Sequence, residues 1–102
     1  MPDDTQVAEG EAALLSCVPP HGNPRPVVTW QRSGMVIDPA SDHRYRIVDG
    51  ANLVITAVRR SDAGAYICRA RNMYGVKDSQ PASLTVLGKI FLSVSFYKQG
   101  PS

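Results

Sequence analysis

The chain has 102 residues, a formal net charge of +2, 43% hydrophobic residues and 20% charged residues. That is room for one domain with one core, with too much apolar content for a disordered chain and too little basic excess for a dedicated nucleic-acid binder. No apolar run reaches 18 residues, so no transmembrane helix is expected, and two cysteines allow one bridge but no cysteine-only zinc site.

The N-terminus, Met1-Pro2-Asp3-Asp4, is acidic where a secretory signal is basic, and no apolar stretch follows it. If the protein works outside the cell, the chain is therefore expected to be a fragment; the alternative is an unusual product that never enters the secretory route. Glycine and proline then recur too often for helices of ordinary length: Gly10, Pro19-Pro20, Gly22, Pro24, Pro26, Gly34, Pro39, Gly50, Gly64, Gly75 and Pro81. The segments between them are rich in Val, Ile, Leu, Thr and Tyr and alternate in polarity, which predicts short strands in an antiparallel sandwich or barrel.

The period of two assigns inward positions strand by strand. Residues 5–8 make a short first strand, and Gly10 turns the chain. Over 12–18, Ala13, Leu15 and Cys17 share a face; over 27–32, Val28 and Trp30 do. Met35-Val36-Ile37 is a short peripheral strand. Over 44–48, Tyr45 and Ile47 oppose Arg44, Arg46 and Val48. Leu53 and Ile55 point inward, with Val58 closing that strand. Over 65–71, Tyr66, Cys68 and Ala70 alternate with Ala65, Ile67, Arg69 and Arg71, and over 81–87 the inward row is Ala82, Leu84 and Val86.

One constellation stands out. Trp30 follows Cys17 by 13 positions, and Cys68 ends the run Asp62-Ala63-Gly64-Ala65-Tyr66-Ile67-Cys68. With Leu53-x-Ile55 and Asn72-Met73-Tyr74-Gly75, it resembles an immunoglobulin domain of the I-set type over about residues 3–87. The resemblance implies an all-β, immunoglobulin-like antiparallel β-sandwich with one inter-sheet disulfide, Cys17 to Cys68, and Trp30 packed against it. It implies a tyrosine corner at Tyr66, with Gly64 allowing close backbone approach. Asp62 needs a cation; Arg44 is the first candidate and Arg46 the second.

A narrower similarity runs through Cys17-Val18-Pro19-Pro20-His21-Gly22-Asn23-Pro24-Arg25-Pro26, Val28-Thr29-Trp30, Arg46-Ile47-Val48-Asp49-Gly50 and Asn52-Leu53. These look like the second immunoglobulin domain of Roundabout axon-guidance receptors. That resemblance implies a non-catalytic adhesion or binding module at the cell surface. Its partners would be a secreted Slit-type ligand or neighbouring receptor domains, with heparan sulfate as a further contact. The second reading is an intracellular structural I-set domain of the cytoskeletal muscle type. Residues 88–102 resemble nothing in the family. Their stretch 90–97 alternates Ile90, Leu92, Val94 and Phe96 with Phe91, Ser93, Ser95 and Tyr97, the pattern of an added edge strand or a poorly ordered end.

No catalytic or cofactor signal accompanies this. His21 and His43 sit in loops without partners at metal-ligand spacing, and no phosphate loop, HExxH or nucleophile elbow occurs. Ser41-Asp42-His43 holds triad residue types, but three adjacent loop residues do not readily take triad geometry. Asn23, Asn52 and Asn72 are not followed by Ser or Thr at the sequon position, so no N-glycan is expected. The candidate binding residues are Arg69 and Arg71, with Thr29 and Gln31 on the strand beside them, and Arg59 and Arg60 in the loop before Asp62. They read either as an ordinary solvated surface or as a basic patch for a sulfated polysaccharide or acidic partner.

Overall fold

The computed structural model describes residues 3–88. The proposed strand over 90–97 lies outside them. Among the described residues nine strands form two sheets: β1 (Thr5–Ala8), β2 (Ala13–Leu15), β3 (Val27–Arg32), β4 (Met35–Ile37), β5 (Tyr45–Val48), β6 (Asn52–Ile55), β7 (Gly64–Asn72), β8 (Gly75–Asp78) and β9 (Ala82–Leu87). The large sheet runs β1-β9-β7-β3-β4, with β8 also on β7, and the small sheet runs β2-β6-β5.

The alternation of side chains puts one face of each sheet into a shared core. Leu15, Leu53, Ile55 and Tyr66 are fully buried, and Trp30 and Val58 nearly so. Register places Trp30 opposite Cys68, and Leu15 opposite Leu53, so the largest side chains meet in the middle of the sandwich. Cys17 and Cys68 are joined by a disulfide that ties the segment leaving β2 to the centre of β7. Buried Trp30 keeps its indole N–H satisfied by donating to the Ala51 carbonyl at 2.7 Å.

Four details differ from the sequence reading. First, β1 lies parallel to β9, with Thr5 opposite Leu84, so the large sheet is mixed rather than wholly antiparallel. Second, pairing of β2 stops at Leu15, short of the segment 12–18, and the Cys17 N–H goes to the Asn52 side chain instead, at 2.9 Å. Third, β8 appears where no strand was expected, because Met73 and Tyr74 make a tight turn that folds Gly75–Asp78 back onto β7. Fourth, Gly64 answers to backbone angle rather than crowding. Its φ is +148°, and an added Cβ would meet only the Arg32 side chain, at 3.7 Å.

β8 and β9 occupy successive stretches of the same edge of β7 and are separated around Ser79. The Ser79 N–H donates to the Cys68 carbonyl at 2.9 Å, but the Cys68 N–H donates to the Ser79 hydroxyl, at 3.0 Å, in place of a main-chain carbonyl. Pro81 then has no N–H to offer the ladder. Ser79→Ala removes the acceptor of a part-buried N–H beside the disulfide. It is expected to lower stability by about 1–2 kcal/mol in urea titration, with no change in the β-sheet circular dichroism.

Candidate functional site

At the end of the sandwich away from the Met73–Tyr74 turn, a polar network joins the two sheets. The chain leaves β6, passes Val58 and makes one 3-10 turn over Arg60–Asp62, which aims the Asp62 carboxylate into the interior. Asp62 is 1% exposed. It accepts from Arg44 Nη1 at 2.8 Å and Nη2 at 3.1 Å, a bidentate pair, and from the Arg59 backbone N–H at 2.7 Å. Arg44, at the entrance to β5, also donates to the Thr56 and Ala57 carbonyls at 3.4 and 3.3 Å. Its Nε is buried with no partner among the described residues. Arg46, the alternative cation, is exposed on β5 opposite Val54.

Tyr66 completes the network from the large sheet. Its hydroxyl donates to the Asp62 carbonyl at 2.6 Å and accepts from Arg32 Nη1 at 3.0 Å. The Arg32 guanidinium also lies over the Tyr66 ring, 5.5 Å from its centroid. Burial pushes the Tyr66 phenol above its ordinary pKa, against the opposing pull of Arg32. For Asp62, burial favours the neutral acid. The bonds from Arg44 and the Arg59 amide and the charges of Arg44 and Arg32 outweigh it, leaving the carboxyl below its ordinary value. The bond to Asp62 in turn raises the Arg44 guanidinium.

The outward face of the large sheet carries four of the candidate binding residues, Thr29, Gln31, Arg69 and Arg71. Across the ladder, Val27 faces Arg71, which faces Val76; Thr29 faces Arg69, which faces Asp78. Gln31 faces Ile67 on one side and Val36 on the other. Arg69 and Arg71 are not equivalent. Arg69 is held by Asp78 in two bonds, at 2.7 and 3.1 Å, whereas Arg71 is exposed with no ion-pair partner among the described residues. Val27 and Val76, 67% and 55% exposed, flank Arg71 with apolar surface.

Arg59 and Arg60 are not part of this face. They sit at the opposite end, by the 3-10 turn, where Arg60 Nε lies 3.7 Å from Glu9 and its guanidinium approaches Gly88. His21 and His43 are exposed in loops, and Asp42 is engaged in a turn, accepting from the Arg44 N–H at 3.0 Å. Among the described residues no group of three or more His, Cys, Asp or Glu is placed to hold a metal ion.

The partner of Arg69 was missed in the sequence, although a signal existed. Counting outward from a two-residue turn at Met73-Tyr74 pairs Asn72 with Gly75 and, three steps on, Arg69 with Asp78. Val76 and Lys77 come into view by the same count.

Two facing sheets, a disulfide between them, a tryptophan beside it and a tyrosine bonded back to its own corner define an immunoglobulin-type sandwich domain. The immunoglobulin I-set family model matches residues 1–86, and the chain belongs to that family. It is 45% identical over 86 residues to human Roundabout homolog 1, covering 84% of this chain and 5% of that protein. It is 42% identical over 88 residues to Caenorhabditis elegans protein sax-3, covering 86% of this chain and 7% of that one. The chain thus spans only a small fraction of these relatives. Among solved structures, the titin M10–obscurin-like 1 immunoglobulin complex superposes with a TM-score of 0.76 at 39% identity, covering 85% of this chain and 88% of that one. Tandem immunoglobulin repeats of Dlar superpose with a TM-score of 0.77 at 33% identity, covering 87% and 46%.

Asp62→Asn keeps the shape of the carboxylate but leaves Arg44 buried with only the part-exposed Asp42 carboxylate, 3.7 Å from its Nη2, as counter-charge, and is expected to cost about 3 kcal/mol in chemical denaturation. The pH dependence follows from the lowered Asp62 pKa. Its stabilisation is complete above the ordinary carboxylate value of 3.8 and fades as pH falls below that value through the folded one. The variant should therefore lack this acid-dependent component, so the stability difference from the parent narrows below pH 3.8.

Proposed function

We propose that the chain is a non-catalytic recognition module of a Roundabout-like guidance receptor at the cell surface, supporting the binding of a secreted Slit-type ligand. The observation that carries this reading is the 45% identity to Roundabout homolog 1 over 86 residues. Protein sax-3 adds a second relative at 42%. The mechanism is surface complementarity on a rigid sheet. Strand residues locked by a ladder on both sides present a fixed pattern of side chains, which lowers the ordering cost of binding. Immobilised Slit protein tests it: the chain should bind alone or in tandem with neighbouring receptor domains. Absence of binding in both forms would count against the receptor reading.

Heparan sulfate is the second partner in this proposal, and Arg71 is its main contact. A sulfate gains from a cation that is not already neutralised, and Arg71 meets that condition while Arg69 is occupied by Asp78. Arg71→Ala should elute from a heparin column at distinctly lower salt than the parent. Arg69→Ala should shift less, because it releases Asp78 as it removes a cation. Equal elution of Arg71→Ala and parent would remove heparan sulfate from the proposal.

The likeness to the titin M10–obscurin-like 1 complex favours a second reading, an intracellular structural domain of the muscle type. The two readings differ in redox compartment. Thiol labelling of the protein quenched directly from its native cells separates them. Blocked Cys17 and Cys68 support the receptor, and two free thiols support the structural domain.

A further inference from the structure

Beyond the arginine-bearing face, the large sheet has one edge that is only half covered. On the lower part of that edge β9 is paired to β1, from Thr5 opposite Leu84 to Ala8 opposite Leu87. On the upper part, β8 pairs with β7 alone among the described residues, and all four of its residues are exposed. The direction of its free groups follows from the ladder. Ser79 bonds through its N–H to the Cys68 carbonyl, and bonded pairs alternate along an antiparallel ladder. Lys77 and Gly75 therefore turn their N–H and carbonyl toward β7, and Val76 and Asp78 turn theirs outward.

Next to this bare edge the sandwich is hollow. Pairing of β2 ends at Leu15 on this side, and the inner face of upper β7 looks onto the loop that begins at Cys17. A cavity of about 330 Å³ opens there between Val18-Pro19-Pro20 and Lys77–Gln80, with the disulfide and Ala70 at its base. A second hollow, about 280 Å³, continues it toward His21 and Tyr74, and the two share Pro20, Ala70 and Lys77 in their walls. Lys77 has no ion-pair partner among the described residues, and Asp78 is already bonded to Arg69. The net character of the rim is cationic over an apolar floor.

We propose that β8 is a docking edge for an extended segment of a partner protein. The segment adds as a strand beside Gly75–Asp78, places an aliphatic side chain in the cavity beneath Pro19 and Pro20, and sets a carboxylate against Lys77. The Val76 and Asp78 main chains supply sequence-independent hydrogen bonds, and the cavity and Lys77 supply the preference. The unpaired cation selects an acidic segment over a basic one. It also disfavours a second copy of this chain, since β8 against β8 would bring no free carboxylate to Lys77. The edge borders the face of Arg71 and shares Val76 and Asp78 with it, but it uses their main chains and the inward Lys77 rather than Arg71, so binding at one site does not require the other.

The test uses the purified chain, isotope-labelled for amide NMR, and a capped hexapeptide alternating valine and threonine with one central glutamate. The peptide should shift the amides of Val76, Asp78, Ala70 and Val18 and leave β4 and β5 unmoved. Lys77→Glu should weaken it about fivefold, and the same peptide with lysine in place of glutamate should regain affinity for that variant. Val76→Pro removes only an outward N–H and should abolish binding while the thermal midpoint stays near that of the parent. If Val76→Pro fails to fold, the charge-swap pair alone decides the matter. The proposal is overturned by no shifts at millimolar peptide, by shifts elsewhere on the chain, or by equal affinity of parent and Lys77→Glu. It is likewise overturned by a peptide-free dimer that sediments as two chains and protects β8.

Discussion

The Asp62 carboxylate and its own carbonyl are where the two sheets are tied together at the lower end of the sandwich. Three donors reach the carboxylate, two from Arg44 and one from the Arg59 main chain, and Tyr66 reaches the carbonyl from the opposite sheet. Each interaction depends on the others being in place. Without the 3-10 turn, Asp62 would not point inward; without Arg44, its charge would be buried and unmatched. The disulfide does the equivalent work near the centre, joining the segment that leaves β2 to β7. Between these two ties lies the packed layer of Trp30, Leu15, Leu53, Ile55 and Tyr66.

β7 is the common member of all of this. It carries Tyr66 to the corner and Cys68 to the bridge on its inward face, and Ile67, Arg69 and Arg71 on its outward face. A strand pinned from inside at two positions holds its outer side chains in a fixed row. That is the physical link between the buried network and any recognition surface on the large sheet. Pinning also explains why the sandwich can leave a hollow above the disulfide without collapsing. The floor of that hollow belongs to the same strand, and Ser79 fastens its neighbouring edge.

Much of the fold was legible because sheet alternation is a strong and local signal. The inward residues assigned at Ala13, Leu15, Cys17, Trp30, Leu53, Ile55, Tyr66, Cys68 and Leu84 are all buried. What could not be read from alternation was the pairing of strands. Nothing local to Thr5–Ala8 says that it lies parallel to β9, since that depends on where the chain has travelled in between. Gly75–Asp78 gave no alternation signal because every one of its residues is exposed. The difference between Arg69 and Arg71 was hidden for the same reason. It depends on which residue sits across the hairpin, and Asp78 rather than Val76 faces Arg69. Arg59 and Arg60, close to Asp62 in sequence, ended on the far side of the molecule from Arg71, because β7 carries the chain a full strand length between them.

The central claim is that Asp62 holds the corner as one cooperative unit with the core. Amide hydrogen exchange measures this most directly at Arg59. That residue is exposed and lies in a connecting segment, yet its N–H donates to the Asp62 carboxylate. If the corner is part of the cooperative unit, the Arg59 amide exchanges only through global unfolding, as slowly as the amides of Trp30 and Cys68. An Arg59 amide that exchanges at the rate of an open loop, while Trp30 and Cys68 stay protected, would contradict the account.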